Sequence, residues 1–167
     1  KDELSNRNKA ETGIRYEWYA LQRYGASYYN LFEKDKIVWL EISDRANYAF
    51  DDNSMYLTNS AYFITGHSLK YLLAVLNSRL CDFYFFQKTA IIAGGRKRYT
   101  KQYVEQNPIP IIEEKQQQPF IDKVDQILSL KKDNPEADTA ALEREIDFMV
   151  YELYGLTQEE IEIVENN

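Results

Sequence analysis

Short strand-like runs separated by charged turns fill the first part of the chain, and the period of the hydrophobic positions then lengthens to that of helices. Lys36–Ile42 (KIVWLEI) concentrates β-branched and aromatic residues between charged turns and predicts a strand. Asn47–Phe50, Met55–Thr58 and Ala61–Thr65 predict further short strands, and Asp51-Asp52-Asn53 has the composition of a hairpin turn. Leu69, Leu72, Leu73, Leu76 and Leu80 follow helical spacing, and Ser68 stands where a side chain can cap the helix. Tyr71 and Val75 lie off that stripe, so burial on more than one face is expected. A second helical stretch is expected from Arg79 to about Lys88, and a short helix over Arg15–Arg23 with Trp18 and Leu21 on one face.

Pro108 and Pro110 hold Asn107 and Ile109 extended, as a strand or edge run leaving the domain. After Glu113-Glu114 the pattern is helical only. Pro119 suits a first helical turn, with Phe120, Val124, Ile127 and Leu128 on one stripe. Leu142, Ile146, Met149, Val150 and Leu153 form another, ended by Gly155, and Thr157 with Glu160 makes a capping box for a last helix. These elements predict an α+β protein. A small mixed β-sheet with packed helices occupies 1–112, and a helical C-terminal segment occupies 113–167.

Composition sharpens this picture in two places. Apolar residues at 44% and aromatics at 14% require a folded chain. The formal charge of -7 is unevenly spread, with a balance of +4 over residues 1–104 and -11 over 105–167. An acidic total argues against nucleic acid, but here the argument reaches only the helical end. The lone cysteine, Cys81, sits among apolar residues and fits an inert thiol in a reducing, cytoplasmic setting. Neither a signal peptide nor an apolar run of membrane-spanning length is present, so no membrane partner is expected. The N-terminal Lys-Asp-Glu-Leu is not a retention signal, which is read only at a C-terminus. A polar start without methionine is expected of a piece of a longer protein, or of tag removal.

The candidate chemistry lies in Ala90–Pro110 (AIIAGGRKRYTKQYVEQNPIP). Gly94 and Gly95 precede Arg96, Lys97, Arg98, Tyr99 and Lys101, and no acid occurs between Asp82 and Glu105. Glycines let the backbone approach a ligand closely, and cations with an interleaved tyrosine suit phosphates and base edges. A solvated basic loop is the plainer alternative. No catalytic set accompanies the patch. His67, between Gly66 and Ser68, has no nucleophile and orienting acid nearby in sequence and reads as a structural residue. No His-Glu-x-x-His or paired-cysteine motif supports a metal site, and Gly94-Gly95 lacks the Gly-Lys-Ser/Thr ending of a phosphate-binding P-loop.

Four blocks, taken in order, carry a family resemblance: KIVWLEISDRANYAFDD (Lys36–Asp52), YLTNSAYFITG (Tyr56–Gly66), LKYLLAVLNSRLCDFYF (Leu69–Phe85) and AGGRKRYTKQYVEQNPIP (Ala93–Pro110). Their order and spacing resemble the TaqI-like C-terminal specificity domain of type IIG restriction–modification enzymes and adenine-specific DNA methyltransferases. EREIDFMVYELYGLTQEEIEIVE (Glu143–Glu165) resembles the helical end of the same proteins. Leu76-Asn77-Ser78 and Pro108-Ile109-Pro110 are also similar to features of type I specificity subunits.

The resemblance implies a target recognition domain for double-stranded DNA. In such enzymes a preceding methyltransferase domain binds S-adenosylmethionine and flips an adenine, and a nuclease domain, where present, uses magnesium. Asn107-Pro108-Ile109-Pro110 departs from the Asn-Pro-Pro-aromatic loop of amino-methyltransferases at its last two positions, and no cofactor glycine motif occurs. This chain is therefore expected to hold no cofactor or metal and to neither methylate nor cleave alone.

The resulting expectation is a groove reader. Arg96 and Arg98 are the leading candidates for base or phosphate contact, since a guanidinium can pair bidentately with guanine. Lys97 and Lys101 are expected on phosphates, which position without specifying. Tyr99 either stacks on DNA, bonds its backbone or belongs to the core. Arg45, Asn47 and Asn53 are further base-edge candidates, with turn chemistry the alternative for the asparagines. The acidic helical end is expected to face away from phosphates. Two rival classes remain: an assembly module of a multidomain enzyme, with a tyrosine-rich face meeting protein and no DNA contact, and an enzyme whose composite site is not readable from one chain.

Overall fold

A computed structural model describes residues 1–6, 17–19, 28–89, 91–92 and 94–166. Strand β1 (Lys36–Leu40) is the centre of a three-stranded sheet. Its edges pair with β3 (Ala49–Asp51) and β4 (Ala61–Ile64), so that Ile37 lies opposite both Phe50 and Ile64. Just past β1, β2 (Ile42–Ser43) pairs with β5 (Lys97–Arg98). Every strand pairing is antiparallel, so the expected α+β architecture stands on antiparallel rather than mixed sheets.

Because β3 and β4 take opposite edges of β1, residues 52–60 must carry the chain across it. That crossing explains two departures from expectation. Met55–Thr58 forms no strand, since no edge of β1 is left for it. Asp51–Asn53 is a turn, but not a hairpin between neighbouring strands. Asp51 accepts from the N–H groups of Asn53 (2.9 Å) and Met55 (3.0 Å) and forms a buried ion pair with Lys36 across the β1–β3 register. The Lys36 ammonium also donates to the Phe32 carbonyl at 2.7 Å, on the 3-10 helix Tyr29–Glu33. Burial pushes the Asp51 carboxyl up, but the hydrogen bonds from Lys36 and the two N–H groups outweigh it and hold the group below its ordinary range.

A five-residue helix, α1 (Asp2–Asn6), opens the chain. The helix expected over Arg15–Arg23 lies outside the described residues apart from Glu17–Tyr19. Helix α2 (Leu69–Asn77) buries Leu69, Tyr71, Leu73, Ala74, Val75 and Leu76, which span more than one face as Tyr71 and Val75 foretold. Ser68 does not cap it. Its backbone is left-handed (φ 55°), its side chain makes no cap bond, and its carbonyl receives Leu72 N–H instead. Ser78 separates α2 from α3 (Arg79–Phe86), accepting from Cys81 N–H while donating to the Val75 carbonyl.

A short α4 (Lys101–Val104) follows β5. Residues 107–113 form no strand, but Tyr71 and Tyr154 pin them by donating to the carbonyls of Pro110 (2.8 Å) and Pro108 (2.6 Å). Helix α5 (Glu114–Asp133) starts early enough that Pro119 lies inside it rather than in its first turn. Its buried Phe120 meets Tyr71 edge-on at 5.4 Å. Helix α6 (Ala140–Tyr154) ends at left-handed Gly155 (φ 69°), and α7 (Gln158–Glu165) carries the expected Thr157–Glu160 capping box. One hydrophobic core runs from Ile37 and Trp39 through α2 to Phe120, Val124, Ile146 and Val150, so the helical segment shares its core with the sheet.

Candidate nucleic-acid interface

The glycine pair makes the tip of a finger. Gly94 and Gly95 both take positive φ (83° and 77°), which glycine adopts without the penalty other residues incur. Gly95 N–H bonds the Ile92 carbonyl, Ile92 N–H bonds the Arg96 carbonyl, and Ile91 bridges Lys97 in antiparallel fashion. The returning arm, β5, pairs with β2 and so joins the finger to the end of the central strand.

Strand alternation then sorts the basic run. Arg96, Arg98 and Lys101 are exposed, while Lys97 and Tyr99 are 7% and 2% exposed. Among the described residues no carboxylate lies within ion-pair range of Arg96. Arg98 approaches Glu41 at 3.5 Å and Lys101 approaches Glu105 at 3.9 Å, with both cations solvated. Such exposed pairs are worth about 0–1 kcal/mol, too little to withhold either cation from a phosphate. The expectation of a phosphate contact at Lys97 meets a side chain turned inward, its ammonium on the face of Phe86. Burial lowers the Lys97 pKa, and the charge of Asp82 acts the other way.

Tyr99 is built into the core. Its ring stacks on Phe85 at 4.2 Å and 3°, and its carbonyl receives Trp39 Nε1–H at 2.7 Å. Its hydroxyl donates to Asp82 Oδ1 at 2.9 Å. Burial, followed by the Asp82 charge, raises the phenol pKa and keeps it a donor.

The same Asp82 oxygen accepts Ala46 N–H at 2.9 Å. Asn77 holds the next residue but one, accepting from Tyr48 N–H (3.0 Å) and donating to the Tyr48 carbonyl (2.9 Å). Helices α2 and α3 thus present Asn77 and Asp82 as two clamps on the 44–48 loop, and Asp82 also grips the root of the finger. Arg45 and Asn47, both exposed, ride on that clamped loop. Sequence reasoning singled out Leu76-Asn77-Ser78 by likeness alone; the structure gives Asn77 and Ser78 their tasks and adds Asp82, which it had missed.

Asn53 is not brought to this site. It sits beyond the Lys36 end of β1, whereas the finger joins beyond the Leu40 end, and six strand residues span roughly 20 Å. Its side chain donates to Asp52 at 2.8 Å, the turn chemistry set out above. The finger carrying Arg96, Arg98 and Lys101 and the loop carrying Arg45 and Asn47 both lie beyond the Leu40 end of β1, but Arg45 and Asn47 line a groove against the helical segment, with Lys131, Glu143 and Asp147. The phenol of Tyr99 and the ammonium of Lys97 lie beneath the exposed cations of the finger. No group of three His, Cys, Asp or Glu side chains suited to a metal occurs among the described residues, and no helix among them is long and apolar enough to cross a membrane.

Residues 5–111 match the model of the TaqI-like C-terminal specificity domain. No curated protein matches the chain.

Proposed function

The chain belongs to the family of the TaqI-like C-terminal specificity domain, and from that membership we propose that it recognises a sequence in double-stranded DNA for a restriction–modification enzyme. The parent is an S-adenosylmethionine-dependent adenine methyltransferase, with or without an endonuclease, and chemistry belongs to its other domains. The observation that carries this reading is the shared anchorage of two cationic loops. Arg96 and Arg98 on the finger and Arg45 on the neighbouring loop are exposed, and one carboxylate, Asp82, accepts both the Tyr99 hydroxyl at the root of the finger and the N–H of Ala46, next to Arg45. Preorganised loops lose less freedom on binding than mobile ones. Arg96 and Arg98 address base edges or phosphates, and Lys101 addresses phosphate.

A second surface supports docking to the parent methyltransferase domain. Tyr28, Tyr29 and Tyr56 are exposed near the Lys36 end of β1, with Tyr56 stacked on Phe32 at 5.1 Å. Reading and docking then occupy opposite ends of the sheet.

The test is fluorescence anisotropy with a pool of mixed duplexes, followed by selection of the bound sequences. Arg96→Ala or Arg98→Ala is expected to weaken binding to the selected duplex by about 1–3 kcal/mol where the arginine contacts a base. Binding should also fall by about 0.9 log unit per log unit of salt for each phosphate contact. Unchanged affinity in both variants, or a flat salt dependence, refutes the reading.

A further inference from the structure

The three-stranded sheet has two outer edges, and only one of them is guarded. Backbone groups along an antiparallel strand point to its two neighbours alternately. Glu41 N–H bonds the Ser60 carbonyl at 2.9 Å, so Ile37 and Trp39 address β4, while Lys36 and Val38 address β3. The backbone groups of Tyr48 and Phe50 on one side, and of Ala61, Phe63 and Thr65 on the other, therefore face outward.

The β3 edge is closed off. Asn77 takes both backbone groups of Tyr48, the Lys70 ammonium lies over the Phe50 ring, and Asp51 and Asp52 follow directly. Charges, prolines and bulges are the devices that keep a sheet edge from pairing with another chain. The β4 edge has none of them. No Asp, Glu, Lys, Arg or Pro occurs between Asp52 and Lys70, in a chain of which 28% is charged, and the register with β1 runs unbroken from Ala61 to Ile64. Among the described residues, the N–H and carbonyl of Phe63 and the N–H of Thr65 have no partner. Ala61 spends its N–H on the Thr58 carbonyl at 3.2 Å and keeps its own carbonyl free.

That pattern is complementary to itself. With two β4 strands antiparallel about Phe63, the N–H and carbonyl of Phe63 meet those of their counterpart, and each Thr65 N–H meets the free Ala61 carbonyl of the other copy. The Phe63 rings face each other on the side of the sheet where Phe63 packs on Phe32 (4.9 Å) and Phe32 on Tyr56 (5.1 Å). At a two-fold axis every side chain meets its own kind, so a charge there would meet a like charge; an uncharged run is what the axis requires. We propose that β4 is a pairing edge for a second copy of this chain, joining two three-stranded sheets into one of six strands. The fingers, each beyond the Leu40 end of its own β1, then lie at opposite ends of the joined sheet and stay free.

The test is sedimentation velocity of the chain over a range of concentrations. The contact is small and of the weak class, so half-association is expected on the order of 0.1 mM. It should tighten as salt rises, because each copy carries -7 and screening relieves their repulsion. In amide exchange, Phe63 and Thr65 N–H should gain protection with concentration, and Phe50 N–H on the other edge should not. Phe63→Lys and Phe63→Glu are each expected to stay monomeric, and an equimolar mixture of the two to pair, since position 63 faces its counterpart. Thr65→Pro removes two donors from the ladder and is expected to weaken association by about tenfold or more; it keeps the test intact if the variants at 63 do not fold. Arg96→Ala should leave association unchanged. A chain still monomeric at about 1 mM (a hundredfold weaker than contacts of the standard class), association that weakens with salt, protection gained elsewhere, or folded variants at 63 that do not pair in the mixture overturns the proposal.

Discussion

Removing the Asp82 carboxylate should loosen both candidate DNA-reading loops at once. One oxygen, Oδ1, accepts the Tyr99 hydroxyl and the Ala46 N–H, each at 2.9 Å. A hydrogen bond to a charged group contributes about 1.5–3 kcal/mol. The Ala46 site is partly open, so water replaces much of its bond. The Tyr99 site is closed, since the residue is 2% exposed and its ring is packed on Phe85. Asp82→Ala is therefore expected to cost about 2–4 kcal/mol, most of it from the stranded phenol. Asp82→Asn keeps an acceptor oxygen and should cost about 1 kcal/mol.

Urea unfolding followed by tryptophan fluorescence measures these values, and Tyr99→Phe completes a double-mutant cycle. The two residues share one bond, so the cycle should show a coupling of about 1–2 kcal/mol. Amide exchange supplies a second readout: Ala46 and Tyr99 N–H should lose protection together in Asp82→Ala, while Ile37 in the central strand keeps its own. Costs that add to within 0.3 kcal/mol (about the scatter of independent sites) would show that the carboxylate does not tie the finger down.

Three further outcomes follow from the same geometry. Breaking the buried Lys36–Asp51 pair with Lys36→Met or Asp51→Asn should cost about 3–5 kcal/mol, whereas replacing both by apolar residues of similar volume should cost much less; calorimetry of the three variants checks this. The Asp51 carboxyl is held low in the fold, so its stabilisation is present above its unfolded pKa and is lost as pH falls through the folded one; the drop should be smaller in Asp51→Asn. Asp147 runs the opposite way: burial first, then Glu165 and Glu143, outweigh Arg79 and raise it to about 6. Its stabilising share is whole below about 4, declines as pH rises from about 4 to about 6, and stays lost above, so the difference between the wild type and Asp147→Asn should change across that window and be flat at pH 7–8.

What the sequence disclosed and what it hid divide along a physical line. Side-chain burial repeats with the period of the element, so the α2 stripe, the strand at Lys36 and the helices after Glu113 were visible in the order of apolar residues. The terminal Gly155 and the Thr157–Glu160 box were visible because their partners are local. The clamps were not, because Asn77 and Asp82 bond backbone groups 29 and 36 residues away. A backbone N–H or carbonyl is the same at every residue, so such a bond leaves no mark on the partner's side chain. Lys97 was a different case, since its signal was present. In a strand, residues two apart share a face. Once Tyr99 is placed in the core, Lys97 must turn inward with it, and Arg96 and Arg98 must turn out. That alternation, more than the number of cations, decides which of them can meet DNA. It makes the spacing of the finger the quantity to perturb: inserting one residue between Arg98 and Tyr99 should turn the arginines inward and abolish duplex binding, although every charge is kept. Undiminished binding of that insertion variant would show that charge alone, not the register of the finger, governs the contact.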